Sequence, residues 1–322
     1  MRSRHIGIRL LRLLKVFLPI LLVLVLATLG GSIWLASWLA KPPTRPYLVT
    51  PETFAHLSDR GVKVTDETWP GKDGSQSRGW LLRGTPGAPA VILLHPYGAD
   101  RSWLLNLGVK LNETTNFTVL WPDLSGHGQL AARKATTFGS READDTTAAV
   151  EFLGSLKTPQ GQKIVGDQIG IYGVELGSYA ALITASRDTG VRSLALDSVP
   201  ASPDDLVTSV VKERTGFDSR LLNLMARSGM RLYLWGSYKN ISACVAANGL
   251  GDRHVLLLAG GGTSGPHDST VALGQCFPGT ANVETNNDLV ISGVNLPSAT
   301  TQQNEAYDRK IIEFFDKSLR MK

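Results

Sequence analysis

The sequence predicts an α/β fold: a mainly parallel eight-stranded sheet with helices on both faces and a small helical lid, preceded by one transmembrane helix. Three observations point there. Strand-like and helix-like segments alternate from about residue 62 onward. Several of the strand-like runs are unbroken by polar residues, as expected of parallel strands covered on both faces. Finally, Gly173-Val174-Glu175-Leu176-Gly177 stands between a β-branched, aromatic run and an alanine-rich, helix-favouring one, the setting of a tight strand-to-helix turn.

The 322 residues suffice for one large domain after an N-terminal extension. Residues 1–15 form a basic tail with Arg2, Arg4, Arg9, Arg12 and Lys15, and the first acidic residue is Glu52. Those five account for the net charge of +5, because the other 28 basic residues balance 28 acidic ones. The body is therefore neutral, and no nucleic-acid partner is expected. Val16 to Ala40 is a run of 25 residues without a charge, long enough to cross about 30 Å of hydrocarbon. Trp34 and Trp38 fall near its far end, where indole rings favour the interface. A cleaved signal peptide is the alternative, but the apolar core is long for one and no convincing cleavage site follows it. The positive tail should stay cytoplasmic, which places the main domain outside the cytoplasm. Lys41-Pro-Pro-Thr-Arg-Pro46 opens a linker, 41–61, expected to be a stiff spacer off the membrane.

The domain itself is expected over 62–322. Strands are predicted at 62–65, 79–83, 90–94, 118–121, 169–172, 194–196, 255–258 and 289–292, and helices at 102–111, 141–156, 178–187, 268–276 and 303–319. The first two strands have no helix between them and should form an antiparallel hairpin. Residues 203–250 break the alternation with helical patches and form a lid insert. It either covers a ligand at the strand ends or is a structural excursion without ligand contact. Cys244 and Cys276 allow one disulfide across a 32-residue loop or two buried thiols. No C-x-x-C, H-x-H or H-E-x-x-H occurs, so neither metal nor cofactor is expected.

Four segments in order carry a family resemblance. Ile92-Leu-Leu-His95-Pro-Tyr97-Gly98 resembles the H-G-x segment after a third strand, and Trp121-Pro-Asp123-Leu-Ser-Gly126-His127-Gly128 resembles P-D-x-x-G-H-G. Phe138-Gly-Ser-Arg141-Glu142 leads into a helix, and the Gly173–Gly177 turn follows. Together they resemble the α/β-hydrolase superfamily, and most nearly its serine hydrolases and peptidases with a short helical insert. The resemblance implies ester or amide hydrolysis, with a nucleophile at the turn, then an acid, then a histidine. The chain departs at each position. Glu175 stands for the serine, the loop after the seventh strand offers only His267 and Asp268, and Asn295 stands where the histidine is expected. His267 is the last histidine of the chain, and asparagine cannot act as a general base.

Two readings of Glu175 therefore stand. It is either a carboxylate held by the helix N-terminus and a basic partner such as His267 or Arg101, or a nucleophile or general base. The resemblance puts the oxyanion hole at the N–H groups of Tyr97 and Leu176. Ser178, one helical turn past Glu175, is expected to pack. His95 and His127 should shape loops, and Asp197 should cap a turn. The expected whole is a membrane-anchored protein with a degenerate triad and a binding or scaffold role, or alternatively an active hydrolase using Glu175. A small ester, amide or acyl compound is the expected ligand class, alongside the membrane.

Overall fold

The computed structural model describes residues 2–44, 46–55, 63–128, 133–261 and 264–321. An eight-stranded sheet runs in the order β1-β2-β4-β3-β5-β6-β7-β8. Its strands are β1 (Val64–Pro70), β2 (Gln76–Leu82), β3 (Ala88–Leu94), β4 (Thr118–Pro122), β5 (Val165–Val174), β6 (Val191–Asp197), β7 (His254–Leu258) and β8 (Asn282–Asn286). β1 and β2 form the expected antiparallel hairpin, β2 joins β4 antiparallel, and every pairing from β4 to β8 is parallel. β4 is buried throughout and β3 from Ala90 to Leu94, in keeping with their apolar sequences.

The helices are α1 (Arg2–Leu39), α2 (Pro51–Ala55), α3 (Leu105–Thr115), α4 (Ser140–Ser155), α5 (Leu176–Ala185), α6 (Pro203–Thr215), α7 (Arg220–Tyr233), α8 (Ala243–Asn248), α9 (Ser264–Leu273) and α10 (Thr301–Arg320). α4 and α5 cover one face of the sheet and α3 and α10 the other, so two apolar layers flank it. α6, α7 and α8 form the insert expected at 203–250. Capping residues set the starts of α6 and α7: Ser202 accepts from the Asp205 N–H and Ser219 from that of Leu222. Cys244 and Cys276 are joined in a disulfide that fastens α8 to the turn after α9.

Two expectations are corrected. The eighth strand is Asn282–Asn286, not 289–292. An edge strand pairs on one side only and lies half in solvent, so a polar sequence serves there. The apolar run at 289–292 instead packs as a loop, with Ile291 buried and Leu289 accepting from the Gly261 N–H. The linker, in turn, is no free spacer. Tyr47 and Val49 pack on the α3/α10 layer, and the Leu48 N–H donates to Ser102 at 2.9 Å. Residues 45 and 56–61, also assigned to that linker, and residue 62, the start of the first predicted strand, lie outside the described residues.

The far end of α1 belongs to the domain. Among the described residues one helix, with its apolar stretch at Phe17–Leu39, is long and apolar enough to cross a membrane. Its residues 17–30 are exposed, whereas Leu35, Ala36, Leu39 and Ala40 are buried in the core layer beside Tyr97, Phe138, Ala226 and Met230. A Cβ at Gly229 would overlap the Ser32 carbonyl oxygen, so only glycine allows α7 to pack this closely on α1.

Candidate functional site

β5 ends at Val174, and the chain turns into α5 through Glu175, whose backbone sits at φ 50° and ψ −104°. A non-glycine residue at positive φ is strained, and the surrounding packing must hold it there. Cβ atoms at Gly173 or Gly177 would collide with the Gly177 backbone and the Leu94 carbonyl, which explains the two flanking glycines. The turn aims the partly buried Glu175 side chain at the loop after β3.

There the carboxylate meets backbone amides. The Tyr97 N–H donates to Glu175 Oε2 at 3.1 Å, and the Leu176 N–H, at the head of α5, acts on it more weakly. These are the two groups where the resemblance puts an oxyanion hole. The Glu175 side chain itself lies against them. Burial raises its pKa to about 7, and Glu213 on α6 adds to the rise, while the two amides oppose it.

Neither basic partner expected for Glu175 bonds it. Arg101 is fully buried elsewhere: it pairs with Asp123 and Asp66 at 3.3 Å and stacks on Tyr47 and Trp80. His267 bonds Asp268 at 3.2 Å on the surface. Asn295 lies in the turn Gly293–Ser298, where its N–H donates to the Ser292 carbonyl and its own carbonyl accepts from Ser298. Among the described residues no histidine bonds Glu175 and no group of three metal-ligating side chains converges.

The other candidates hold the frame. Ser178 is buried and donates to the Glu175 carbonyl at 2.7 Å. His95 bridges two loops, with Nδ1 donating to the Pro96 carbonyl and Nε2 accepting from the Leu124 N–H. His127 donates through Nδ1 to the Ser125 carbonyl, and its Nε2 has no hydrogen-bond partner among the described residues. Burial, then the neighbouring His95, push its pKa down to about 3, so it is neutral. Asp197, raised to about 6 by burial, ties the β6 end to the later loops. It accepts from Ser198, from the Gly293 N–H at 2.9 Å and from Tyr307.

What sequence reasoning missed is the roof. Tyr97 donates its hydroxyl to the Leu39 carbonyl at 2.6 Å, and the Thr136 N–H donates to the Ala40 carbonyl. Arg214 on α6 reaches the Trp38 carbonyl at 2.8 Å and the Tyr97 hydroxyl at 3.2 Å, with its guanidinium 3.9 Å from the Trp38 ring centre. The last turn of α1 and the lid thus meet directly over Tyr97. Buried Leu35 and Leu39 lie four apart on one helical face, a periodicity lost within a stretch apolar all round.

The strand order, the antiparallel start, the tight turn after β5 and the lid before β7 together decide the architecture. The chain has the α/β-hydrolase fold. Solved structures agree: an esterase of Pyrococcus furiosus, Pf2001, is 19% identical with a TM-score of 0.66, over 87% of this chain and 98% of its own. The α/β hydrolase GrgF of Penicillium is 14% identical with a TM-score of 0.59, over 81% and 100%. An esterase of Pyrobaculum calidifontis is 16% identical with a TM-score of 0.56, over 91% and 92%. No family model matches the chain, and no curated protein matches its sequence. At these identities the likeness speaks for the fold alone.

Proposed function

We propose that this chain is a membrane-anchored α/β-hydrolase-fold protein that has lost serine-hydrolase chemistry and serves as a binding or scaffold module. One observation carries the reading: the amides that would stabilise an oxyanion are already engaged by the Glu175 carboxylate. The carboxyl group fills the place of an oxyanion and, once ionised, would repel one, and among the described residues no histidine bonds Glu175 to activate water or release an ester. α1 anchors the body through the exposed apolar stretch that precedes its packing on the lid, with residues 1–15 cytoplasmic and the main domain outside. A fluorophosphonate probe should leave the protein unlabelled, including at Ser178. Stoichiometric labelling there would refute the loss of serine chemistry.

A second reading keeps one observation in its favour. A carboxyl group with a pKa near 7 is poised to exchange protons at neutral pH, so Glu175 could act as a general base on a small ester or acyl compound. Comparing ester turnover by the protein and by Glu175→Gln separates the two. Equal background in both supports the binding role; activity that vanishes in the variant supports the hydrolase.

A further inference from the structure

We infer that the tip of the lid, the Phe217 loop and the first turns of α7, is embedded in the outer leaflet of the bilayer. This rests on the anchoring proposed above. Met225 reaches Gly31, and Gly229 packs on Ser32 and Ala36, so α7 runs beside α1 in the same direction. The N-terminus of α7 therefore points back along α1, toward the membrane.

Length sharpens the point. Val16 to Gly30 is the charge-free part of α1 that precedes its packing on the lid, 15 residues. At 1.5 Å per residue that is about 22 Å of helix, short of the ~30 Å of hydrocarbon to be crossed. A short span is accommodated by thinning the bilayer or by bringing neighbouring apolar surface into it. The lid offers such a surface at that level. Phe217, Leu221 and Leu224 are exposed by 63–68%, and the exposed apolar stripe continues through Leu232 to Trp235.

That stripe flanks the side of α7 that touches α1, so lipid-facing surface continues from one helix to the other. Trp34, 68% exposed on α1 and stacked on Trp38, supplies an indole of the kind that favours the interface. The charged groups near the tip, Asp218 and Arg220, are exposed, and the Arg220 stem can carry its head to the phosphates. The occupant of this face is outer-leaflet lipid, and the lid is held at the membrane by the same helix that roofs Tyr97.

The test uses the full chain in phosphatidylcholine vesicles brominated at mid-acyl depth. Because Cys244 and Cys276 are paired, one added cysteine carries a bimane uniquely. Leu224→Cys is the probe, with Leu221→Cys as a second site should the first variant fail to fold. Leu24→Cys reports the span, and Ser155→Cys, at the exposed end of α4, reports water. Quenching of the lid probe at least twofold beyond that at Ser155, with Leu24 also quenched, is expected. A quenched Leu24 with a lid probe that behaves like Ser155 overturns the embedding and leaves the anchor standing. An unquenched Leu24 overturns the anchor, and the embedding with it.

Discussion

Tyr97 gives its N–H to the Glu175 carboxylate at 3.1 Å and its hydroxyl to the Leu39 carbonyl at 2.6 Å. A single residue thus joins the turn at the head of α5 to the last turn of the apolar helix. Burial raises the Tyr97 pKa to about 12, so the hydroxyl remains a donor at any physiological pH. The roof and the site form one structure, and changes to either should be felt in the other.

Removing that hydroxyl tests the connection. Tyr97→Phe leaves the Leu39 carbonyl without its donor, and a buried polar group left unpaired costs about 1–3 kcal/mol. Arg214→Ala removes the guanidinium from Trp38 and from two carbonyls on the same stretch. Both variants should unfold earlier in denaturant. They should also show faster proteolysis between residues 40 and 50 than the parent. Unchanged cleavage there would mean that the end of α1 is held by apolar packing alone.

Shortening the chain from its N-terminus should reveal where the domain begins. The sequence places that boundary near residue 62, yet Leu35, Ala36, Leu39 and Ala40 fill the core layer. Burying a leucine side chain is worth about 2 kcal/mol, so Leu35 and Leu39 together contribute roughly 4 kcal/mol. A chain starting at residue 31 should remain folded and monomeric in detergent. One starting at 41 should lose several degrees in Tm and aggregate, as size-exclusion chromatography and thermal melts would show.

The fold was legible because its signals are local. Unbroken apolar strands, glycines around a tight turn and the P-D-x-x-G-H-G run each report their own surroundings. The places where reading failed are those decided by distant contacts. β8 is polar because it is an edge strand, whereas the apolar run after it is a packed loop. Arg101, offered as a partner for Glu175, is claimed by Asp66, Asp123 and two aromatic rings that come from four other segments. Hydropathy marked α1 for the membrane, but it could not divide a uniformly apolar stretch into a lipid-facing and a lid-facing part.

Glycine at 229 should be indispensable to the lid. Gly229→Val would drive its side chain into the Ser32 carbonyl and the Ala36 methyl, and such overpacking costs about 1–3 kcal/mol. Gly30→Val, one turn away on α1, meets nothing within 4 Å and should be neutral. Melting temperatures of the two variants in the same detergent make the comparison. Equal values would show that α7 shifts along α1 without cost.

The disulfide should matter to the lid more than to the sheet. Cys244 sits on α8 and Cys276 beyond α9, so the bond closes a 32-residue loop that contains β7. Chain-entropy arguments value such a closure at about 3–4 kcal/mol. Replacing both cysteines by serine should lower stability by up to that amount. Hydrogen exchange should rise first in α8, which packs on α5, and last in the central strands. Uniform acceleration across all strands would contradict this order.

Glu175 should impose its own pH dependence on folding. Its pKa is about 7 in the folded state against an ordinary glutamate value of 4.5, raised chiefly by burial. Between those values the folded protein binds the extra proton, so the contribution to stability is full below pH 4.5 and is lost as pH rises through 7. A shift of that size corresponds to roughly 3 kcal/mol at most, since part of the side chain still reaches solvent. Glu175→Gln keeps an oxygen for the Tyr97 N–H and cannot ionise. Relative to the parent it should be close to neutral near pH 5 and more stable by about 1–3 kcal/mol at pH 8.5, read from urea melts at both pH values. Asp123, Asp145 and Asp197, each raised to about 6 by burial, titrate alike in both proteins and cancel in the difference. A difference that does not change with pH would place the Glu175 carboxylate in water and remove it from the amides of Tyr97 and Leu176.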